Sequence, residues 1–450
     1  MKTLFAKTAL LPSGWQENVQ IEIDPSGFIH RVETQVRPNS VAETVVGPVI
    51  AGVANVHSHV WQRLIAGLTE SRGDFWVWRE HMYRYAHKLQ PEQLHAVAAQ
   101  TYVDMLKAGY TCVGEFHYLH HAEDGKAYST QTEMSDQVIE AALVAGIRIT
   151  HLPVLYQHSN FGSKKPKRDQ RRFLFKTDAF NRLLDDLEKR YSTQNMVTIG
   201  WAPHSLRAVN AKAIRAVLAE KGGPVHIHIA EQPKEVADCL NWCGERPVAW
   251  LLDNFQVNAN WCLVHATHTQ VRELRGIAKS GATVAVCPTT EANLGDGIFP
   301  SEKFLSVGGK IAIGSDSHIS IDPAEELRLL EYGQRLTKGK RGILTTEELP
   351  SVGGRLFPQA QLAGQQALNN SAGSIARGAP ADLVVLDGKS SLLQGKTKNQ
   401  ILDTWIFSGG RSLVRDVMTA GQWRVTNGAH VNEAAIAAKF AAVIAELSET

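Results

Sequence analysis

Cysteine is scarce, with 5 in 450 residues, which excludes a disulfide-stapled secreted scaffold. An excess of one charge is lacking too. The chain has 47 Lys+Arg against 45 Asp+Glu, for a formal net charge of +2. Neither nucleic acid nor an anionic membrane is indicated as a principal partner. No uninterrupted apolar run reaches the length of a membrane-spanning helix. The opening MKTLFAKTALLPSGW is only partly apolar, Lys7 interrupts it, and no small-residue cleavage site follows. A removable leader is therefore not expected, and a cytoplasmic location is. There is no G-x-G-x-x-G or G-x-x-x-x-G-K-[ST] phosphate loop and no internal repeat. At 44% hydrophobic and 20% charged, the chain is not disordered. What it holds in quantity is histidine, 18 residues.

Val/Ile-rich runs alternate with helical stretches through the middle of the sequence. Buried parallel strands are predicted near Val45–His57, Thr111–Tyr118, Arg148–Tyr156, Met196–Ser205, Pro224–Glu231, Trp261–His268, Thr283–Pro288 and Lys310–His318. Helices are predicted over Pro91–Gly109, with Pro in the first turn and Gly at the end, and over Asn210–Gly222, with an Asn cap. This pattern predicts an α/β fold, a (β/α)8 TIM barrel. The stretch from His59 to Asp316 has the roughly 250 residues typical of one. The two ends differ. Residues 2–45 alternate around the Asp24-Pro25-Ser26-Gly27 turn, and Ala381–Asp387, Val414–Ala420 and Trp423–Asn427 are again strand-like. Neither end alone is large enough to bury a good core. They are expected to pair into a small discontinuous β-sandwich domain, with residues 1–48 and 371–450 flanking a barrel over 49–370. The last part, Glu433–Leu447, is predicted helical.

The residues that carry chemistry lie at the predicted strand ends. In His57-Ser58-His59 the two imidazoles share a face, because strand side chains repeat every second residue. His226 and His228 do the same in PVHIHIAEQ, with Glu231 just beyond. His265 closes WCLVH, and Asp316 follows the apolar run IAI. All sit at carboxyl ends of strands, where barrel active sites are built. Neutral imidazoles plus one carboxylate suit a divalent first-row metal, most simply Zn²⁺, and the same donors accept Fe, Mn or Ni. An open coordination position on such a metal brings the pKa of water down to roughly 7. A carboxylate beside that water accepts its proton, and Glu231 is placed to protonate the departing group. No lysine stands near the end of the fourth strand, VTIGWAPHSL, so a carbamylated bridge is not visible and one metal per subunit is expected. Cys239 and Cys243 lack the second pair a structural zinc site needs. Cys112, Cys262 and Cys287 read as small core residues.

The pattern resembles the amidohydrolase superfamily in its mononuclear deaminase branch, and GSIARGAPADLVVLD (Gly373–Asp387) looks like that superfamily's return into its small β domain. NVHSHVWQR (Asn55–Arg63), FWVWREHMYR (Phe75–Arg84), MLKAGYTCVGEFHYLHH (Met105–His121), HSLRAV (His204–Val209), HIHIAEQ (His226–Gln232), LVHATH (Leu263–His268), TEANLGDGIFP (Thr290–Pro300) and GSDSHIS (Gly314–Ser320) resemble the formimidoylglutamate deiminase family. That resemblance implies hydrolysis of N-formimino-L-glutamate to N-formyl-L-glutamate and ammonia, a step of histidine degradation. It implies His57, His59, His228 and Asp316 as metal ligands, with His226 a neighbour on the strand. It implies Asp316 and His265 as the groups that activate water, with Glu231 as the proton shuttle. It places Gln62, Arg79, Tyr118, His204 and Arg207 around the glutamate part of the substrate. Related barrels are often homodimers, so a homodimer is expected.

Arginines suit that substrate, because a planar guanidinium can donate two hydrogen bonds to one carboxylate. Arg207 follows the fourth strand on the active face. Arg79 lies on a predicted helix, less obviously near the metal, and can reach in from a neighbouring subunit. The rival readings are a deaminase for a purine-like ring amidine and a non-catalytic barrel kept for binding or assembly. The basic run Lys164–Arg172 reads as a solvated loop, with a lid or an anion-attracting rim as the sharper alternative.

Overall fold

A computed structural model describes residues 1–38, 40–70, 75–370 and 373–448, without the side chains at 75–77, 79 and 80. Eight parallel strand positions form the barrel. Val53–Ser58 pairs with Tyr110–His117, which pairs with Arg148–Leu155. The latter pairs with a fourth strand in two pieces, Val197–Ile199 and Ala202–Pro203. Val225–Ile229, Trp261–His265, Thr283–Val286 and Lys310–Ile313 follow in register. Single bridges close the ring: Trp201 to Val225 and Ser205 to His228 on one side, Ser58 to Asp316 on the other.

The helices between the strands end where the sequence provides a stop. Pro91–Ala108 closes on Gly109 at φ 100°, and Ala211–Glu220 starts on Asn210, whose side chain accepts from the Ala213 N–H at 3.0 Å. No helix among the described residues is long and apolar enough to cross a membrane.

The floor of the barrel is apolar. Ala54, Val56, Cys112, Cys262, Val264, Ala285, Cys287 and Ala312 meet Ala363, Ala367 and Leu368 of helix Val352–Leu368 in one buried cluster. Two interior side chains lock the end of that helix in place. The Thr150 hydroxyl donates to the Leu368 carbonyl and the His226 ring to the Ala367 carbonyl, both at 2.8 Å.

Both chain ends join one mixed nine-stranded sheet. Its order runs Ala429–His430, Gln422–Thr426, Val414–Thr419, Leu383–Leu386, Val49–Ala51, Lys2–Leu11, Gly14–Ile23 and Ile29–Glu33, with Glu43–Thr44 also on Lys2–Leu11. The Asp24 turn is capped by its own carboxylate, which accepts from Ser26 and Phe28 N–H at 2.8 and 3.0 Å. Val49–Ala51, assigned from the sequence to the barrel, pair instead in this terminal sheet. The run Val49–Val56 is broken only by Asn55, beyond the handover, so nothing in its apolar pattern marks the crossing. Gly52 marks it in space: a Cβ there would stand 2.1 Å from the Thr111 hydroxyl. A buried ion pair, Arg148 Nε to Asp382 Oδ2 at 3.3 Å, ties the third barrel strand to the terminal sheet.

Candidate metal centre and active site

At the carboxyl ends of the strands the interior changes from apolar to polar. The change begins with an irregularity in the first strand, whose register against the second shifts between Asn55 and Ser58. This turns His57 inward. Its Cβ and backbone pack against Gly314, where a Cβ would meet His57 Cβ at 2.8 Å, so glycine is needed just past the eighth strand. His57 Nε2 lies 3.1 Å from His59 Nε2 and 3.0 Å from His228 Nε2. Asp316 Oδ1 is 3.5 and 3.3 Å from the Nε2 atoms of His57 and His59. One donor atom from each of the four residues falls within 4.8 Å of every other, and all four are buried.

The chemistry of this donor set fits a divalent cation. His59 Nδ1 donates to the Phe116 carbonyl at 2.8 Å, and His228 Nδ1 to the His204 carbonyl at 3.2 Å. Each ring thus turns its Nε2 lone pair toward the centre. Burial pushes His57 down to about 3 and also lowers His59 and His228. Three neutral imidazoles and a carboxylate with no cation among them would leave lone pairs facing lone pairs. A second convergent set, His265, Cys287 and Asp316, is a poorer cage, because burial drives the Cys287 thiol well above its ordinary value and so away from thiolate.

Around this centre lies a cavity of about 80 Å³. Gln62, Tyr118, His204, Arg207, Glu231 and His265 all line it, beside His59, His228 and Asp316. His265 Nε2 is 3.8 Å from Asp316 Oδ2 and 3.9 Å from Glu231 Oε1. Burial opposes protonation of His265. The negative charge of Glu231, the hydrogen bond to Glu291 and the charge of Asp316 outweigh it and push the ring up to about 10. His265 and Asp316 both hold left-handed backbones, φ 66° and 50°. For residues other than glycine this costs about 1–3 kcal/mol each, sustained by the surrounding barrel.

The opposite wall holds polar groups with spare hydrogen-bonding capacity. Gln62 Nε2 donates to the Tyr118 hydroxyl at 2.7 Å, while its carbonyl oxygen is buried without a hydrogen bond. Arg207 reaches toward Glu231 and Glu235, at 4.0 and 3.8 Å, and its buried Nε also makes no hydrogen bond. Arg79 is carried by helix Phe75–Lys88, but its side chain lies outside the described residues. The same helix sends Trp78, Met82 and Tyr83 to the cavity.

Two acids were missed in the sequence. Glu291 Oε1 lies 3.3 Å from His265 Nδ1 and also accepts from the Cys287 N–H at 2.9 Å. Glu235 sits beneath Arg207 and accepts from the Glu231 N–H at 3.3 Å. Both occupy first turns of helices that follow barrel strands, over Pro288–Leu294 and Pro233–Cys243, and that position was the available signal. His226 points to the floor, away from the four donors.

The sequence profile of the Amidohydrolase family matches residues 49–424. The chain belongs to the amidohydrolase family. Residues 1–43 match the profile described as "Formimidoylglutamate deiminase HutF, N-terminal domain". Formimidoylglutamate deiminase of Pseudomonas aeruginosa is 47% identical over 453 residues, covering 99% of this chain and all of that protein. The 5-methylthioadenosine/S-adenosylhomocysteine deaminase of Halobacterium salinarum is 27% identical over 347 residues, covering 75% and 73%. Among solved structures, an amidohydrolase from Brucella melitensis superposes with a TM-score of 0.95 at 44% identity over the whole of both chains. The (β/α)8 barrel with a terminal β domain is thus the amidohydrolase architecture, and this amidohydrolase is a hydrolase acting on a C–N bond.

Proposed function

We infer that this amidohydrolase is a formimidoylglutamate deiminase, converting N-formimino-L-glutamate and water to N-formyl-L-glutamate and ammonia in histidine degradation. The observation that carries the reading is the end-to-end 47% identity to the Pseudomonas aeruginosa enzyme. The cavity supports it, because Arg207 shares it with His59, His228 and Asp316 of the four-residue donor set that His57 completes. Those four would hold one ion per subunit, and their donor chemistry favours zinc.

A cation held there supplies Lewis acidity that makes water a competent nucleophile near neutral pH. The protein's own groups do the rest. Asp316 Oδ2, which faces His265 Nε2 at 3.8 Å, takes the proton from the attacking water. His265, charged, stabilises the tetrahedral adduct at the amidine carbon. Glu231 passes a proton to the terminal nitrogen, the C–N bond breaks, ammonia leaves and the formyl group stays on glutamate. Arg207, Gln62, Tyr118 and His204 hold the glutamate part, with Arg79 from the neighbouring helix. A homodimer in the cytoplasm completes the reading; the five free thiols suit a reducing compartment.

One observation favours the rival purine-type substrate: the aromatic side chains of Trp78, Tyr83, Tyr118, Tyr156 and Phe173 line the cavity. Arg207 argues the other way, since a neutral ring has no use for a guanidinium. Ammonia release from N-formimino-L-glutamate, run beside a small purine panel with and without chelator, separates the two. Rapid, chelator-sensitive release from the amidine alone is the expected outcome. Purine turnover with an inert amidine would overturn it. Elemental analysis of the purified chain tests the zinc assignment, and failure to hold stoichiometric metal after reconstitution would revive the non-catalytic barrel.

A further inference from the structure

Outside the metal-facing cavity lies a second one of about 350 Å³. Arg207 and Glu231 line both and form their common wall. The outer wall carries Lys164 and Lys167, with Lys234 and Asp238 beside them. Lys234 is engaged by Asp238, Nζ to the two carboxylate oxygens at 3.0 and 2.9 Å. Glu231 and Glu235 flank Arg207. The chamber's surplus positive charge therefore sits at Lys164 and Lys167, both exposed, with Lys164 also acting electrostatically on Asp238.

These lysines belong to a built segment. The Ser159 N–H donates to the Lys164 carbonyl at 3.1 Å, and the Ser159 hydroxyl to the Lys165 carbonyl at 2.7 Å. Gln170 Nε2 donates to the hydroxyl of Tyr156, a wall of the inner cavity, at 2.8 Å. The buried Arg172 donates to the carbonyls of His121 and Leu89 at 2.7 and 2.9 Å. The run read from the sequence as a solvated loop is thus pinned to the top of the barrel, with its ammonium groups at the mouth.

We propose that Lys164 and Lys167 form a cationic antechamber that captures dicarboxylate substrates and passes them across Arg207 to the metal-facing cavity. The proposal rests on the deiminase reading, whose substrate carries two carboxylates beside its amidine. The lining sets Lys164, Lys167, Arg207 and Lys234 against Glu231, Glu235 and Asp238, and a concave wall with a surplus of one charge sign raises the local concentration of the opposite ion. The division of labour follows from the side chains. Lysine is a hydrated point charge suited to transient capture, and arginine a planar fork suited to final docking.

The test compares the wild-type holoenzyme with the double variant Lys164→Gln/Lys167→Gln, with the charge-matched exposed pair Lys340→Gln/Lys396→Gln as control. At about 10 mM salt, where the Debye length is about 30 Å, kcat/KM for N-formimino-L-glutamate is expected to fall about five- to tenfold in the antechamber variant. The kcat should stay within about twofold, and the control should match wild type. At 1 M salt, with a Debye length of about 3 Å, the difference should vanish. The monocarboxylate N-formiminoglycine should lose less than the dicarboxylate. An unchanged kcat/KM at low salt, or a loss indifferent to salt and substrate charge, overturns the proposal. No turnover of N-formimino-L-glutamate by wild-type holoenzyme would remove the deiminase reading itself, and the antechamber's role with it.

Discussion

The fifth barrel strand carries two histidines on one face, two residues apart, and they do opposite things. His228 stands at the upper mouth among His57, His59 and Asp316. His226 stands at the floor, where burial pushes its ring down to about 4 and its Nε2 donates to the Ala367 carbonyl. The mouth gathers donors whose lone pairs converge, an arrangement that is costly without a cation. The floor gathers small apolar side chains and satisfies its few polar atoms within the protein. Stability is built at the floor, and the mouth uses it to hold left-handed backbones and unpaired lone pairs in place.

The largest expected effect sets these two histidines against each other. His228→Ala should lose its metal and at least about a thousandfold in kcat/KM, read by elemental analysis and ammonia release. His226→Ala should keep metal and near-normal kcat, and lose about 1–3 kcal/mol in chemical denaturation, because the Ala367 carbonyl loses its donor. Equal catalytic losses in the two variants would break the comparison. Next comes Arg207→Ala, for which about a 10- to 100-fold drop in kcat/KM with full metal content is expected from the loss of a charge-assisted carboxylate contact. Wild-type kinetics would remove Arg207 from the substrate's path.

Glu291→Gln sharpens the picture at the mouth. It should cost about tenfold in kcat through misplacement of His265 while metal is retained. The pH profile should shift with it, which a merely structural role would not produce. At the floor, Leu368→Ala should cost about 2–5 kcal/mol and leave kcat alone. A pH effect concerns Glu115, on the second barrel strand beside Ser58. Burial pushes its carboxyl up to about 8 despite hydrogen bonds from Ser58 and the Val60 N–H. In the unfolded chain a glutamate titrates near about 4.3. The folded state therefore binds the proton more tightly, and stability falls as pH rises through that window. Between pH 5 and 8 the denaturation midpoint of wild type should fall more than that of Glu115→Gln. Parallel curves would show that the buried carboxyl is not the titrating group.

The sequence by itself determined the alternating strands and helices, because parallel strands buried on both faces must be apolar throughout and helices need their stops. It also determined the candidate donors, because strand periodicity places residues i and i+2 on one face and barrel chemistry collects at carboxyl ends. Tertiary structure decided what periodicity cannot express. It set His228 among the donors and His226 at the floor, a division the family resemblance implied and periodicity alone left open, since the two share a face. It moved Val49–Ala51 into the terminal sheet, since one apolar run serves two sheets. It brought Glu291 to His265 from 26 residues away along the chain, and it set His265 and Asp316 in left-handed conformations that local preference opposes. It left Lys164–Asp169 exposed, as a solvated loop would be, while bringing Lys164 and Lys167 to the lining of the outer cavity. Local pattern reports which residues can face inward; which of them meet depends on closure of the ring, and that is a property of the whole chain.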